Sequence, residues 1–328
     1  MKKLVFFGFI FLGALSVNLS ANEIYNLVDE YRKGGISNIK STLEKYFLDK
    51  NYWSNYLAKK DTRFGYFENM NFIFVASKSK ANLALYKIDG NTINLLNQTS
   101  AIFGSNQNDK AVQGDLATPI GAYDLTEKLK NLDQYYGPLA FVTAYPNLYD
   151  RLQKKTGSGI WIHGMPLNGE RDNNTRGCIA IDNTTLKKYE SMIDYQKTIL
   201  ITYPNEVKEV SKDALATILQ GIFVWRDAWI NNDLDLYLSF YDNNFVRFDG
   251  MKIAQFRDYK KRVFAKDESK TIDFSNINIA PYPNLNGLDL YRVRFLEDYK
   301  AKGGYKFNGI KELYVVVSAN KMRIMVER

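Results

Sequence analysis

Gly159-Ile160-Trp161-Ile162-His163-Gly164-Met165-Pro166 and, after a polar loop from Leu167 to Asn174, Thr175-Arg176-Gly177-Cys178-Ile179-Ala180-Ile181 hold the only histidine and the only cysteine of a 328-residue chain. Each stands at the edge of a short apolar run that reads as a strand. Neighbouring strands can bring two such residues into contact, and the loop between them is long enough to shape a cleft. A cysteine and a histidine in contact make an acyl-transfer nucleophile. The imidazole takes the thiol proton, and the expected ion pair keeps the thiolate populated near neutral pH. Arg176 adds positive potential. The backbone N–H groups of Gly177 and Cys178 are expected to meet the oxyanion, and Gly177 lets the chain approach without a side chain in the way. The plainer alternatives are an inert buried thiol and a satisfied core histidine. A free thiol is a hazard in an exported protein, which favours a working role.

Outward from this pair the chain reads as short strands. Asn71 to Val75, Ala81 to Ile88 and Thr92 to Ser100 are β-rich, with Asp89-Gly90 a hairpin signal. Strand and turn signals continue through Thr118-Pro119-Ile120-Gly121-Ala122-Tyr123, Phe141 to Ala144 and Thr198 to Tyr203. The result is a mainly antiparallel β domain over 67–205. The region before it, 22–66, reads as helical, with Gly34-Gly35 interrupting the apolar spacing of Ile24, Leu27, Val28 and Tyr31 and of Ile39, Leu43, Tyr46 and Phe47. These helices have little core of their own and are expected to pack on the next domain or on another subunit.

Residues 206–328 open with an amphipathic helix carrying Val210, Ala214, Ile218, Ile222, Trp225 and Trp229, ended by Asn231-Asn232-Asp233. Helical pieces at Leu236 to Tyr241 and Ile253 to Phe264 follow. Strands come last, at Thr271 to Ala280, Leu288 to Asp298, Gly309 to Ser318 and Lys321 to Glu327. Helices followed by an antiparallel sheet predict an α+β cone, self-contained and independent of the catalytic sheet. The fold class is therefore α+β throughout.

Composition narrows the function. Hydrophobic residues make up 45% and aromatics 14% of the chain, enough for sizeable cores and for half-buried β surfaces. One Cys and one His exclude a disulfide framework, a zinc ribbon and a c-type haem. The net charge is +8, or +6 without Lys2 and Lys3, and no basic block forms a nucleic-acid footprint. Lys2 and Lys3 precede an apolar run from Leu4 to Leu15 and a small, polar exit up to Ala21, the pattern of a secretory signal peptide over 1–21. The run is too short to span a bilayer, and no second long apolar stretch exists, so no stable membrane anchor is expected. Leu19 departs from the small residue preferred near the cleavage site.

The motifs resemble the L,D-transpeptidase (YkuD-like) catalytic family, whose signature is His-Gly, a spacer, then Ser/Thr-x-Gly-Cys. Here these are His163-Gly164 and Thr175-Arg176-Gly177-Cys178. Ala117 to Tyr123 matches the family's Thr-Pro-x-Gly-x-Tyr/Phe strand. The resemblance implies a peptidoglycan enzyme with Cys178 as nucleophile, His163 as base and the Gly164 carbonyl orienting the imidazole. Many members carry His before Gly-Cys. Arg176 stands there instead, and its suggested role is pairing with a substrate carboxylate. Gln134 to Phe141 and Gly159 to Gly164 look like the cell-shape L,D-carboxypeptidase branch of helical Gram-negative bacteria. Trp225 to Tyr241 and Val293 to Tyr299 resemble a nuclear-transport-factor-2-like (NTF2-like) domain.

The expected reaction is removal of terminal D-alanine from tetrapeptide stems in the periplasm, through a cysteine acyl-enzyme. The alternatives are transpeptidation by an amine from a second stem, and a non-catalytic wall-binding protein. Tyr135, Tyr136 and Tyr145 are expected to wall off the acceptor side, and Trp161 to line the donor groove. No metal or nucleotide cofactor is implied. The C-terminal pocket is a candidate for a glycan or stem-peptide ligand, with a buttress as the plainer reading, and the N-terminal helices are a candidate homodimer surface.

Overall fold

The computed structural model describes residues 21–328; the expected signal peptide lies outside them except for its last residue. They form a mixed α+β protein. Two compact units divide the chain, one ending at Tyr46 and the other running from Phe47 to Arg328.

The first unit is nearly all of helix α1 (Ala21–Phe47), which breaks at Gly35, where φ is 65° and ψ −160°. Glycine alone adopts that conformation readily, so the Gly34-Gly35 interruption separates two helical segments, as the apolar spacing predicts. Ile24, Tyr25, Val28, Tyr31 and Ile36 are exposed along it.

The second unit contains two sheets. The larger has eight strands: β2 (Phe72–Ser77), β3 (Asn82–Asp89), β4 (Thr92–Ser100), β5 (Gly121–Lys130), β6 (Leu139–Thr143), β7 (Trp161–His163), β8 (Ile179–Ala180) and β9 (Thr198–Tyr203). Their order is β4-β3-β2-β9-β5-β6-β7-β8. Pairing is antiparallel except for β2 with β9 and β7 with β8. Ile102 bridges Ala180, so the chain leaving β4 reaches β8 at the opposite edge. Two helices, α3 (Leu148–Leu152) and α4 (Asn183–Met192), accompany this sheet. Asp182 caps α4 by accepting from the Thr185 N–H, and Leu186 and Tyr189 bury its inner face.

The smaller sheet runs β1-β11-β12-β13-β14-β10. It comprises β1 (Tyr66–Phe67), β10 (Tyr241–Arg247), β11 (Lys270–Pro281), β12 (Leu290–Ala301), β13 (Lys306–Ser318) and β14 (Lys321–Glu327). Helices α5 (Lys212–Ile230), α6 (Leu234–Ser239) and α7 (Ile253–Phe264) cover it.

The expected independence of the C-terminal region does not hold. Helix α2 (Lys50–Ala58) places Trp53 and Leu57 in the core beneath α5, with Trp53 stacked on Phe223 at 5.4 Å. Tyr66 and Phe67 pair with Ile279 and Asn278 at the edge of the smaller sheet. A further core is shared between the sheets, where Phe64, Ile73, Val75 and Tyr203 meet Tyr282, Leu290, Tyr314 and Val326. Asp124, from the larger sheet, accepts bidentately from Arg292 at 2.9 Å and from Arg294 at 2.5 Å. Each sheet buries one face against the other in this shared core, which α3 also enters through Leu148, so the two are thermodynamically coupled.

Candidate active site

Strands β7 and β8 run parallel with Ile162 opposite Ile179 and His163 opposite Ala180. This register carries His163 and Cys178 to the same end of the sheet, where both line a pocket of about 590 Å³. Trp161 sends its N–H to Cys178 Sγ at 3.4 Å, and Sγ donates to the Gly159 carbonyl at 3.4 Å. His163 is fully buried. Its Nδ1 lies 2.7 Å from the Gly164 carbonyl. A carbonyl only accepts, so Nδ1 carries the proton and Nε2 is left as a lone-pair nitrogen. That Nε2 is shielded from solvent and has no hydrogen-bond partner among the described residues. Tyr136 packs edge-on against both His163 and Trp161, at 5.2 Å in each case.

The backbone around the pair is held tightly. Asn183, at the start of α4, accepts from the Met165 N–H at 2.9 Å and donates to the Met165 carbonyl at 3.1 Å. A Cβ on Gly164 would lie 2.1 Å from Asn183 Oδ1, so the residue presenting its carbonyl to His163 has room only for glycine. Gly177 has φ 127°, and a Cβ there would lie 2.7 Å from the Ala117 carbonyl. Close approach at Gly177 is thus real. Its expected oxyanion role is not supported, because its N–H already donates to Thr175 Oγ1 at 3.0 Å. Thr175 Oγ1 in turn donates to the Cys178 carbonyl at 2.7 Å, closing the turn that presents the thiol.

Electrostatics revise the expected ion pair. Burial holds the His163 imidazole down to about 4, against the raising effect of the Gly164 carbonyl. Burial also pushes the Cys178 thiol above its ordinary value. Both shifts favour the neutral forms, so thiol and imidazole are uncharged at pH 7. The positive charges acting on the thiol are those of Arg171 and Lys110. Arg176, the sequence neighbour expected to act there, is an exposed residue at the pocket rim.

Of the three tyrosines expected to wall the acceptor side, Tyr135 and Tyr136 do line the pocket. Tyr145 does not: it is buried beneath, against Tyr123, its hydroxyl 3.2 Å from the Thr156 carbonyl. Sequence reasoning missed Arg171, Lys110 and Asn183. Lys110 is buried and pairs with Asp115 at 2.8 Å. Asp115 also accepts from the N–H groups of Ala111, Val112 and Ala117, so this pair fixes one pocket wall. A buried lysine in a loop has no local sequence signal, since its partner is chosen by the fold.

A second pocket, of about 440 Å³, opens in the cone of the smaller sheet. Lys260 is buried at its base, with Nζ 4.6 Å from the Trp229 ring centroid and 4.8 Å from that of Tyr237. Among the described residues, no cluster of His, Cys, Asp and Glu is placed to hold a metal ion, and no helix is long and apolar enough to cross a membrane.

A sheet with a His-Gly and a Thr-x-Gly-Cys turn facing one pocket, joined to a second, helix-covered sheet, defines an L,D-transpeptidase-type catalytic domain with an accessory domain, and the chain belongs to that family. It matches the L,D-transpeptidase catalytic domain over residues 71–201 and the Cds6 C-terminal NTF2-like domain over 217–328. It is 42% identical to the helical cell shape determining protein Pgp2 of Campylobacter jejuni, with a TM-score of 0.81 over 86% of this chain and 100% of that one. A single-site mutant of the same protein gives 41% identity and a TM-score of 0.82, over 86% of this chain and 99% of that one. Bd1075 of Bdellovibrio bacteriovorus is 27% identical, with a TM-score of 0.64 over 82% of this chain and 96% of that one. No curated protein matches the chain.

Proposed function

We propose that the chain is a peptidoglycan L,D-carboxypeptidase that trims tetrapeptide stems to tripeptides in the periplasm, acting on cell-wall remodelling and cell shape. The carrying observation is the His163 arrangement: Nδ1–H fixed on the Gly164 carbonyl and a buried, unpaired Nε2, in the pocket that also holds the chain's one thiol. Residues 67–205 supply the catalytic sheet and perform the chemistry, and 206–328, with α2 and β1 completing its core, is the accessory domain.

The thiol proton leaves its contact with the Gly159 carbonyl and passes to His163 Nε2 as sulfur attacks. The attacked carbonyl lies between the diamino-acid and D-alanine. An S–C bond forms, the C–N bond breaks, and the imidazolium returns its proton to the departing amine. Water then gives a proton to Nε2 and opens the thioester, releasing the tripeptide carboxylate and the thiol. Because both groups start neutral, the proton moves during attack rather than beforehand.

Incubation with purified tetrapeptide muropeptides, followed by mass analysis, tests the reading. Tripeptide and free D-alanine are the expected products. Dimers joined between two diamino-acids would make the enzyme a transpeptidase, and unchanged substrate would make it a binding protein. The cone pocket, with its buried lysine among aromatic rings, supports a wall-fragment ligand, glycan or stem peptide. Lys260→Ala should then weaken binding to intact sacculi. The exposed apolar residues of α1 support pairing with a second copy, testable by light scattering before and after removal of residues 22–46.

A further inference from the structure

Arg171 lies in the loop between the two motif strands and lines the same pocket as Cys178 and His163. Its guanidinium sits 4.8 Å from the centroid of the Tyr135 ring. Nε and Nη1 are shielded from solvent and have no hydrogen-bond partner among the described residues. A guanidinium presents donors in a rigid fork that matches a carboxylate. Leaving such donors shielded and unmatched is costly unless a ligand completes them. The loop is anchored for this purpose: Leu167 and Asn168 donate their N–H groups to the Gln134 carbonyl and Oε1, at 3.0 and 3.1 Å. Gln134 begins the turn that also supplies Tyr135 and Tyr136.

We infer that Arg171 receives the free C-terminal carboxylate of the stem peptide, the group next to the bond being cut. The inference rests on the carboxypeptidase reading and sharpens its substrate class to stems that end at the residue being removed. Three bonds separate the attacked carbonyl carbon from that terminal carboxylate carbon, so they lie within about 4.3 Å of each other. The carboxylate must therefore enter the pocket that contains the thiol, where Arg171 waits with unmatched donors. Arg176 is the weaker candidate. It is exposed, and a pair formed in water contributes little. A longer stem, or one already joined through its C-terminus, puts an amide where the carboxylate belongs. It then leaves the guanidinium unpaired.

The test compares a tetrapeptide muropeptide with the same compound ending in D-alaninamide. The full chain and its Arg171→Met and Arg171→Lys variants are assayed for release of the terminal residue. The unsubstituted enzyme should favour the free carboxylate by about 10²-fold in kcat/KM. Arg171→Met should bring the ratio of the two substrates near unity, and Arg171→Lys should restore part of it. The same two ligands are titrated calorimetrically into Cys178→Ala, with and without Arg171→Met. A preference that survives Arg171→Met in both assays overturns the assignment, as does an equal loss on both ligands. If the unsubstituted enzyme releases nothing, but Cys178→Ala binds the carboxylate more tightly in an Arg171-dependent way, the carboxypeptidase reading falls and the Arg171 assignment stands.

Discussion

Asp124→Asn isolates the ion-pair knot between the two sheets. Asp124 lies between Arg292 and Arg294, and Arg292 also donates to Glu312 at 2.7 Å. Despite the opposing effect of burial, these arginines lower its carboxyl from 3.8 to about 2. At about 1.4 kcal/mol per unit, that shift corresponds to roughly 2 kcal/mol of stability. The sign follows from a folded value below the unfolded one. The contribution is complete above about pH 4 and is lost as pH falls toward 2. Asparagine removes the charge but not the two guanidinium groups. One-sided loss of a buried pair costs about 3–5 kcal/mol. For a unit of this size, that is a fall in melting temperature of about 5–15 °C at pH 7. The measurement is thermal unfolding followed by circular dichroism, at pH 7 and at steps down to pH 3. The variant should melt lower at pH 7, and the gap should narrow with acid. A melting temperature within about 1 °C of the unsubstituted protein at pH 7, or a gap independent of pH, would show that the knot does not couple the sheets.

Three further outcomes follow from the same structure. Alkylation of Cys178 by iodoacetamide should be slow at pH 7 and keep rising beyond pH 9, because burial holds the thiol neutral; a rate already level between pH 5 and 8 would mean a preformed thiolate–imidazolium pair. Gly164→Ala should cut D-alanine release by about 10²-fold with the fold retained, since the new methyl displaces Asn183 and the carbonyl that orients His163; full turnover would remove Gly164 from the orienting role. A chain ending at Pro204 should lack a cooperative melt, because it strips the partners of Trp53, Tyr66 and Ile73; a soluble, cooperatively melting fragment would mean the catalytic sheet closes its own core.

The parts legible in sequence were those whose signals are local. The Asp89-Gly90 turn, helix α7 and strand β14 follow from turn chemistry and apolar period. The His163 and Cys178 motif placed the pocket because it carries rare residues in fixed order. Strand β10 was missed because only Tyr241 and Phe245 of its residues are buried and its pairing with β14 is bulged, which blurs the alternation. Helix α4 was missed because two buried residues in ten give a faint period. The Gly177 N–H was misassigned because its competitor, the Thr175 hydroxyl, is visible only once the turn is built. Arg171 had no signal at all: its place over Tyr135 depends on a loop clasped by a distant turn.

The pairing of Tyr66 and Phe67 with β11 makes the accessory domain discontinuous in sequence. Helix α2 and β1 belong to its core, so the catalytic strands leave that core after Phe67 and return to it before α5. The catalytic domain is, in topology, an insertion into the domain that follows it. A protease cutting once in the connection between β9 and α5 would leave two fragments clasped together, not one free enzyme and one free accessory module. During synthesis, α2 has no binding site until α5 has been made more than 150 residues later, and β1 has none until β11 follows. The first residues of the structured unit are thus among the last to find their places, and the chain folds as a closing loop rather than bead by bead.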